Sequence, residues 1–387
     1  MSALTAITGA RIFDGQDWFE DAALLFEFGQ VTAITRAPDI PPEAQTVHFD
    51  GGFLVPGFID LQVNGGGGAL LNERPTLDGI RTICAAHARF GTTALLPTLI
   101  TDTPAVTGRA IAAGIAAVDA RVPGFLGLHL EGPHLSLARK GAHDPALIRP
   151  VEPSDIARLA AARAALPNLV LTVAAETVPP AQIAEIVRTG TIVSIGHSDA
   201  TMKTFAAAVA AGATMATHLF NAMSQLGNRE PGVVGAVLDN GALFAGLIAD
   251  GIHVDPAAIA IALRAKTGPG RIFLVTDAMS LTGTDATSLT LNGRQIIRAD
   301  GALRLADGTL AGADLTMIDA IGYMHRAIGL DFDEAIRMAS LYPAQAMRID
   351  ATHGHLRAGA VADFVHLSPD HAVLSTWIAG TQVFAAS

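Results

Sequence analysis

The sequence predicts an α/β chain: a (β/α)8 TIM-like barrel with a small β-sandwich domain built from both termini. Three observations carry this. Between residues 53 and 354, apolar strand-like runs alternate with Ala-rich segments of helical period, eight times in series, as a parallel barrel requires. Both ends of the chain instead show short strands separated by turn residues. Half of the 387 residues are apolar and only 16% are charged, which suits a large core of strands buried on both faces.

Residues 1–52 supply the first part of the small domain. Strand-like runs cover Ala6–Phe13, Asp21–Phe28, Gln30–Thr35 and Thr46–Phe49, with turns at Asp14-Gly15 and Gly29-Gln30. Residues 53–354 form the barrel. Its strands are predicted at Leu54–Val63, Thr92–Thr98, Phe125–Leu130, Leu169–Ala175, Thr191–Ile195, Thr214–His218, Leu243–Ala249 and Ile272–Thr276. Helices are predicted at Leu77–Arg89, Ala105–Ala117, Ile156–Ala165, Ala181–Thr189, Met202–Ala211 and Pro256–Ala265. Pro179-Pro180 and Asp255-Pro256 mark helix starts, because proline fits the first turn, where no N–H is needed. Closing helices are expected over Asp314–Ile328 and Asp333–Ser340. Residues 355–387 return to short strands and complete the small domain.

Composition excludes several classes. Lys+Arg is 25 against Asp+Glu 36, a formal net charge of −11, which argues against a nucleic-acid partner. The single Cys84 cannot pair within the chain, so an intracellular, cytoplasmic setting is expected. Polar residues interrupt every apolar stretch short of the roughly 18 residues of a membrane span. The first residues show no secretory leader pattern.

In a parallel barrel the site lies at the C-terminal ends of the strands. There the sequence places Asp60, Gln62 and Asn64, then His129 and Glu131, His197, His218, Asp250 with His253, and Asp277. Glu131, His197 and His218 make an N2O donor set that leaves a position open on a divalent ion. Asp277 is then the natural general base. Asp60 reads as support for the first strand's turn, and Cys84 as inert core. Gly65–Gly68 lacks the Lys-Ser/Thr of a phosphate loop and reads as a tight turn. No motif places Glu176, beyond the fourth strand.

Longer strings sharpen the reading. Pro56-Gly-Phe-Ile-Asp60, opening a barrel after a small β domain, resembles the amidohydrolase superfamily. Leu128-His-Leu-Glu-Gly-Pro-His134, Lys140-Gly-Ala-His-Asp-Pro145, Gly196-His-Ser-Asp-Ala-Thr201 and Thr217-His-Leu-Phe-Asn-Ala-Met223 resemble the N-acetylglucosamine-6-phosphate deacetylases. Gly227-Asn-Arg-Glu-Pro-Gly232, Ile248-Ala-Asp-Gly-Ile-His253, Leu274-Val-Thr-Asp-Ala-Met279 and Leu310-Ala-Gly-Ala-Asp-Leu-Thr-Met317 continue the match. The resemblance implies one divalent metal per subunit, Zn2+ with Fe2+, Mn2+ or Co2+ as alternatives, held by Glu131, His197 and His218. It implies Asp277 as general base and acid, and His143 as a donor to the acetamide carbonyl. It also implies a homodimer in which Arg229 and His253 hold the 6-phosphate of an amino-sugar phosphate at the neighbouring site. Ala142, Asn221, Ala222, Leu310, Ala311 and Gly312 would line the sugar and acetyl pocket.

One departure stands out. Many superfamily members carry His-x-His at the end of the first strand, where this chain has Gln62-Val-Asn64. Amides are poor partners for a transition ion, so these are read as vestigial second-metal positions. Three other readings remain open at this point: the galactosamine epimer as substrate, a cyclic-amide or N-acyl-amino-acid hydrolase, and a non-catalytic sugar-phosphate-binding barrel.

Overall fold

In the computed structural model, which describes residues 4–291 and 293–386, eight parallel strands lie side by side in chain order. They are β1 Phe58–Val63, β2 Thr92–Ile100, β3 Leu128–Glu131, β4 Leu169–Val173, β5 Ile192–Ile195, β6 Met215–Ala216, β7 Phe244–Leu247 and β8 Ile272–Leu274. Every adjacent pair is parallel, the order that right-handed strand–helix–strand crossovers produce.

The seam between β8 and β1 is closed by particular groups rather than by a regular ladder. The Asp277 N–H donates to the Gln62 carbonyl at 2.9 Å. The wholly buried Asp60 carboxylate accepts from Thr276 N at 3.2 Å and Thr276 Oγ1 at 2.5 Å. Asp60 therefore staples the last strand to the first. Burial pushes its pKa up to about 7, against the lowering effect of these bonds.

Helices pack outside the strands, over Leu77–Ala88, Pro104–Asp119, Pro153–Ala165, Pro180–Arg188, Met202–Ala210, Gly232–Asp239 and Pro256–Ala265. Thr76, Thr103, Thr201 and Asp255 cap four of them by accepting first-turn N–H groups. The Gly232–Asp239 helix escapes sequence reading because Gly and Val are poor helix formers. Burial of seven consecutive residues, Gly232 to Leu238, holds it. The expected helix over Asp314–Ile328 begins at Met317 and turns π-helical at Met324–Ile328.

Two packed sheets form the small domain, so the sandwich is present. One holds Gln30–Arg36, Ala22–Glu27, Thr5–Thr8 and Gln45–His48. The other joins C-terminal strands Thr381–Ala385, Val373–Ile378 and Phe364–Leu367 to Phe53–Pro56, Arg11–Phe13 and Trp18–Phe19. Ile7, Leu24, Phe26, Leu54, Phe364 and Trp377 share its core. The single strand expected over Leu54–Val63 is thus two. Phe53–Pro56 pairs with the C-terminal strand Phe364–Leu367, and the chain enters the barrel after Gly57. A side chain at Gly57 would collide with Thr93, whose Oγ1 lies 2.1 Å from the Cβ position.

A further element was not anticipated. Strands β9 Ser288–Leu291, β10 Arg294–Ala299 and β11 Ala302–Leu305 form an antiparallel insert after the barrel closes. Its Leu289, Leu291, Ile296 and Leu303 pack on Leu70, Ile100, Met279 and Leu281, so it roofs the C-terminal end of the barrel.

Asp363 joins the two domains. Its carbonyl accepts from Gly57 N at 2.9 Å and its Oδ1 from Ala379 N at 2.7 Å. Burial raises its carboxyl pKa to about 7. A carboxyl raised in the folded state favours folding while protonated, and that contribution fades as pH climbs from its unfolded value near 4 through 7. Asp363→Asn should therefore raise the melting temperature at pH 8 relative to the parent, with the gain shrinking towards pH 4. Melting curves across that range check it.

Candidate active site

At the C-terminal ends of the strands a cavity of about 520 Å3 opens beneath the insert. Asn64, Glu131, Ala142, His143, His197, His218, Asn221, Ala222, His253, Asp277 and Leu310 to Gly312 all line it. Of the residues singled out at the strand ends or by the resemblance, Asp60, Gln62, His129, Arg229 and Asp250 do not. Gln62 lies one layer below, and Arg229 is exposed on the turn before the Gly232–Asp239 helix.

Strand pairing puts Glu131 at the last position of β3, level with Thr172 of β4 and Ile100 of β2. His197, His218 and Asp277 follow β5, β6 and β8 with φ of +46°, +30° and +51°. Side-chain-bearing residues rarely adopt this left-handed region, and they cluster at functional sites when they do. Here the reversal turns each side chain into the barrel mouth.

The donors converge tightly. Glu131 Oε1 is 3.1 Å from His218 Nε2 and 3.3 Å from His197 Nε2, and the two Nε2 atoms are 3.1 Å apart. His197 Nδ1 donates to the Arg139 carbonyl at 2.8 Å. In the neutral ring this leaves the Nε2 lone pair facing Glu131. His143 also has a ligand atom within 4.8 Å of those of Glu131 and His197. However, its Nδ1 already accepts the Thr101 N–H at 3.3 Å, and its Nε2 stands 3.8 Å from Glu131. The tightest set is Glu131, His197 and His218, with His143 beside it as a donor from Nε2.

The electrostatics ask for a cation. Burial opposes the charge on Glu131, but its bonds to His197 and His218 hold its pKa well below the usual range. Burial also opposes charge on His218, yet Glu131 and Asp277 raise its pKa. His143 is pushed well down by burial and by His197, and stays neutral. Asp277 is raised to about 6 by burial and by the Glu131 charge. Two buried carboxyl groups with convergent imidazole nitrogens fit a divalent ion with N2O donors.

Gln62 and Asn64 act differently from ligands. Gln62 Nε2 donates to Glu131 Oε1 and Asp277 Oδ1, both at 3.1 Å. Asn64 Nδ2 donates to Asp277 Oδ1 at 2.7 Å. The amide N–H groups point at the carboxylates, so these residues orient the acids.

His129 supports the site from below. Its Nε2 bonds Thr172 Oγ1 at 2.7 Å, and a chain of hydroxyls continues through Thr217 to Ser194. At the far side His253 Nδ1 bonds Asp250 Oδ2 at 2.6 Å, which leaves Nε2 for a ligand. Arg139 and Arg304 also line the cavity, and sequence reasoning missed both. Arg139 stands next to a recognised motif. Arg304 arrives on the insert, which no motif announced.

Residues 53–383 match the amidohydrolase family. An N-acetylgalactosamine-6-phosphate deacetylase from Shewanella sp. is 40% identical over 98% of this chain and 95% of its own. An N-acetylglucosamine-6-phosphate deacetylase from Haemophilus influenzae is 33% identical over 97% and 98%. The crystal structure of N-acetylglucosamine-6-phosphate deacetylase from Pasteurella multocida superposes with a TM-score of 0.95 at 34% identity, covering 99% of this chain and 100% of that one.

Gln62→Leu removes the shared donor and leaves buried carboxylate oxygens short of a partner. It should destabilise the metal-free protein by about 1–3 kcal/mol. Urea unfolding of the metal-free chain measures this, and an unchanged midpoint would show that Gln62 does not hold the acids.

Proposed function

We propose that this chain, which belongs to the amidohydrolase family, hydrolyses the acetamide of N-acetyl-D-glucosamine 6-phosphate to D-glucosamine 6-phosphate and acetate. The observation that carries the reading is the convergence of Glu131, His197 and His218 with Asp277 across one cavity. A non-catalytic binder has no need of a carboxyl placed as a general base opposite such a donor set.

Glu131, His197 and His218 would hold one divalent ion, which we read as Zn2+ with Fe2+, Mn2+ or Co2+ as alternatives the same donors accept. Such an ion polarises a carbonyl and lowers the pKa of water. Asp277, fixed through Oδ1 by Gln62 and Asn64, takes a proton as water adds to the acetamide carbon. In the metal-free chain burial and the Glu131 charge raise its pKa to about 6, and a carboxyl that takes up a proton can also give it up. The same carboxyl then protonates the nitrogen as the C–N bond breaks. Neutral His143, with Nδ1 occupied by Thr101, donates from Nε2 to the developing oxyanion.

His253 Nε2 faces the cavity as a donor for the 6-phosphate. Arg229 lies outside this chain's own cavity on an exposed turn. The reading gives it the phosphate of a neighbouring subunit in a homodimer, where a guanidinium fork suits a dianion. A cytoplasmic location agrees with the chemistry, which releases a phosphorylated sugar.

A second substrate has a specific observation behind it: the 40% identical relative is named for the galactosamine epimer. Acetate release from the two phosphorylated sugars, measured side by side on one sample, decides between them.

Chelation should abolish turnover, and one equivalent of divalent ion per chain should restore it. Asp277→Asn should lower kcat by about 10²- to 10⁴-fold with metal retained. Near-normal kcat in that variant would end the mechanism. Arg229→Ala should raise KM for the phosphorylated sugar alone, and an equal loss on the unphosphorylated sugar would remove its phosphate role.

A further inference from the structure

Glu176 belongs to no motif and does not line the cavity, yet both its carboxylate oxygens are engaged. Oε2 accepts from Ser198 Oγ and Oε1 from the Asp199 N–H, each at 2.6 Å. These two residues directly follow His197, which holds the left-handed φ of +46°. Asp199 Oδ1 in turn accepts from Arg139 Nε at 2.8 Å. The Arg139 carbonyl is the acceptor for His197 Nδ1. The path runs from Glu176 through Asp199 and Arg139 back to the imidazole.

We propose that Glu176 is a positioning residue that prepares His197 to bind the divalent ion. The inference rests on the metal-dependent reading above. Glu176 acts in two ways. Through Ser198 and Asp199 it fixes a turn whose backbone conformation is costly for a residue with a side chain. Through Asp199 and Arg139 it holds in place the carbonyl that keeps the proton on Nδ1. Without that acceptor the ring can carry its proton on Nε2, which has no lone pair to offer in that tautomer.

The geometry makes this more than local packing. Glu176 follows β4, His197 follows β5, and Arg139 lies on the loop after β3, so one exposed carboxylate couples three loops. The Arg139 loop also packs on the ring itself. A side chain at Gly141 would place its Cβ 3.2 Å from His197 Cε1. Loss of a partner behind a metal-binding histidine commonly costs metal affinity or activity.

The test is made on the full chain, stripped of metal and titrated with Zn2+ against a chromophoric chelator. Glu176→Ala should weaken Zn2+ binding by about 10- to 100-fold. Glu176→Gln keeps an acceptor for the Asp199 N–H and should recover part of that loss. At saturating Zn2+ both variants should return to near the parent kcat, which places the defect in affinity. Should Glu176→Ala not fold, Ser198→Ala removes the Oε2 contact, together with the longer bonds that Ser198 Oγ accepts from Ala175 N and Ala200 N, but leaves the Oε1 contact to Asp199, and should show a smaller weakening. Parent-like Zn2+ affinity in the folded variants overturns the proposal alone. A parent chain that binds no Zn2+ overturns the metal-dependent reading and the proposal with it.

Discussion

A carboxylate buried at the mouth of a barrel is the constraint to which the rest of the structure answers. Glu131 is 2% exposed and remains ionised. A buried charge is costly unless it is paired and hydrogen-bonded. Its pairing draws Gln62 from β1, His197 from beyond β5 and His218 from beyond β6 to one oxygen. Those contacts fix where three strands must end, and the reversed backbone at both histidines follows from it. Asp60 and Thr276 then close the seam so that Asp277 arrives opposite.

The insert β9–β11 adds a roof without disturbing that arrangement. It packs through a core of its own, separate from the main cluster of the barrel. Arg294 reaches from it to the Ala142 carbonyl, tying the roof to the loop that carries His143. The roof is thereby coupled to the oxyanion donor, and its Arg304 adds a positive group to a cavity whose acids are otherwise sequestered below.

Much of this was readable in the sequence, and the rest was hidden for physical reasons. Eight strands with polar residues at their C-terminal ends are visible because parallel strands buried on both faces read as apolar runs. The helices with Thr, Asp or Pro at their starts were found to within three residues. Met215–Ala216 was expected to be longer. The chain leaves the sheet at Thr217, whose hydroxyl turns to Thr172 and Ser194, so His218 lies beyond the strand. The insert was invisible because its pattern is short and half-exposed, and it comes after the eight-strand count is complete. Glu176 was unplaced because its partners, Ser198 and Asp199, are close only once β4 and β5 pair.

The exchange of a histidine pair for Gln62 and Asn64 has a physical consequence for the acid it touches. A second divalent ion between Glu131 and Asp277 would favour the ionised form of both and drive the Asp277 pKa down. The Gln62 amide occupies the same bridging position, 3.1 Å from each, and satisfies the oxygens without adding net charge. In the metal-free protein burial and the Glu131 charge therefore raise the Asp277 carboxyl to about 6. A group that takes a proton from water and returns it to a departing amine works best with a pKa near the operating pH. The amide pair thus orients both acids while leaving Asp277 a carboxyl able to take a proton and return it.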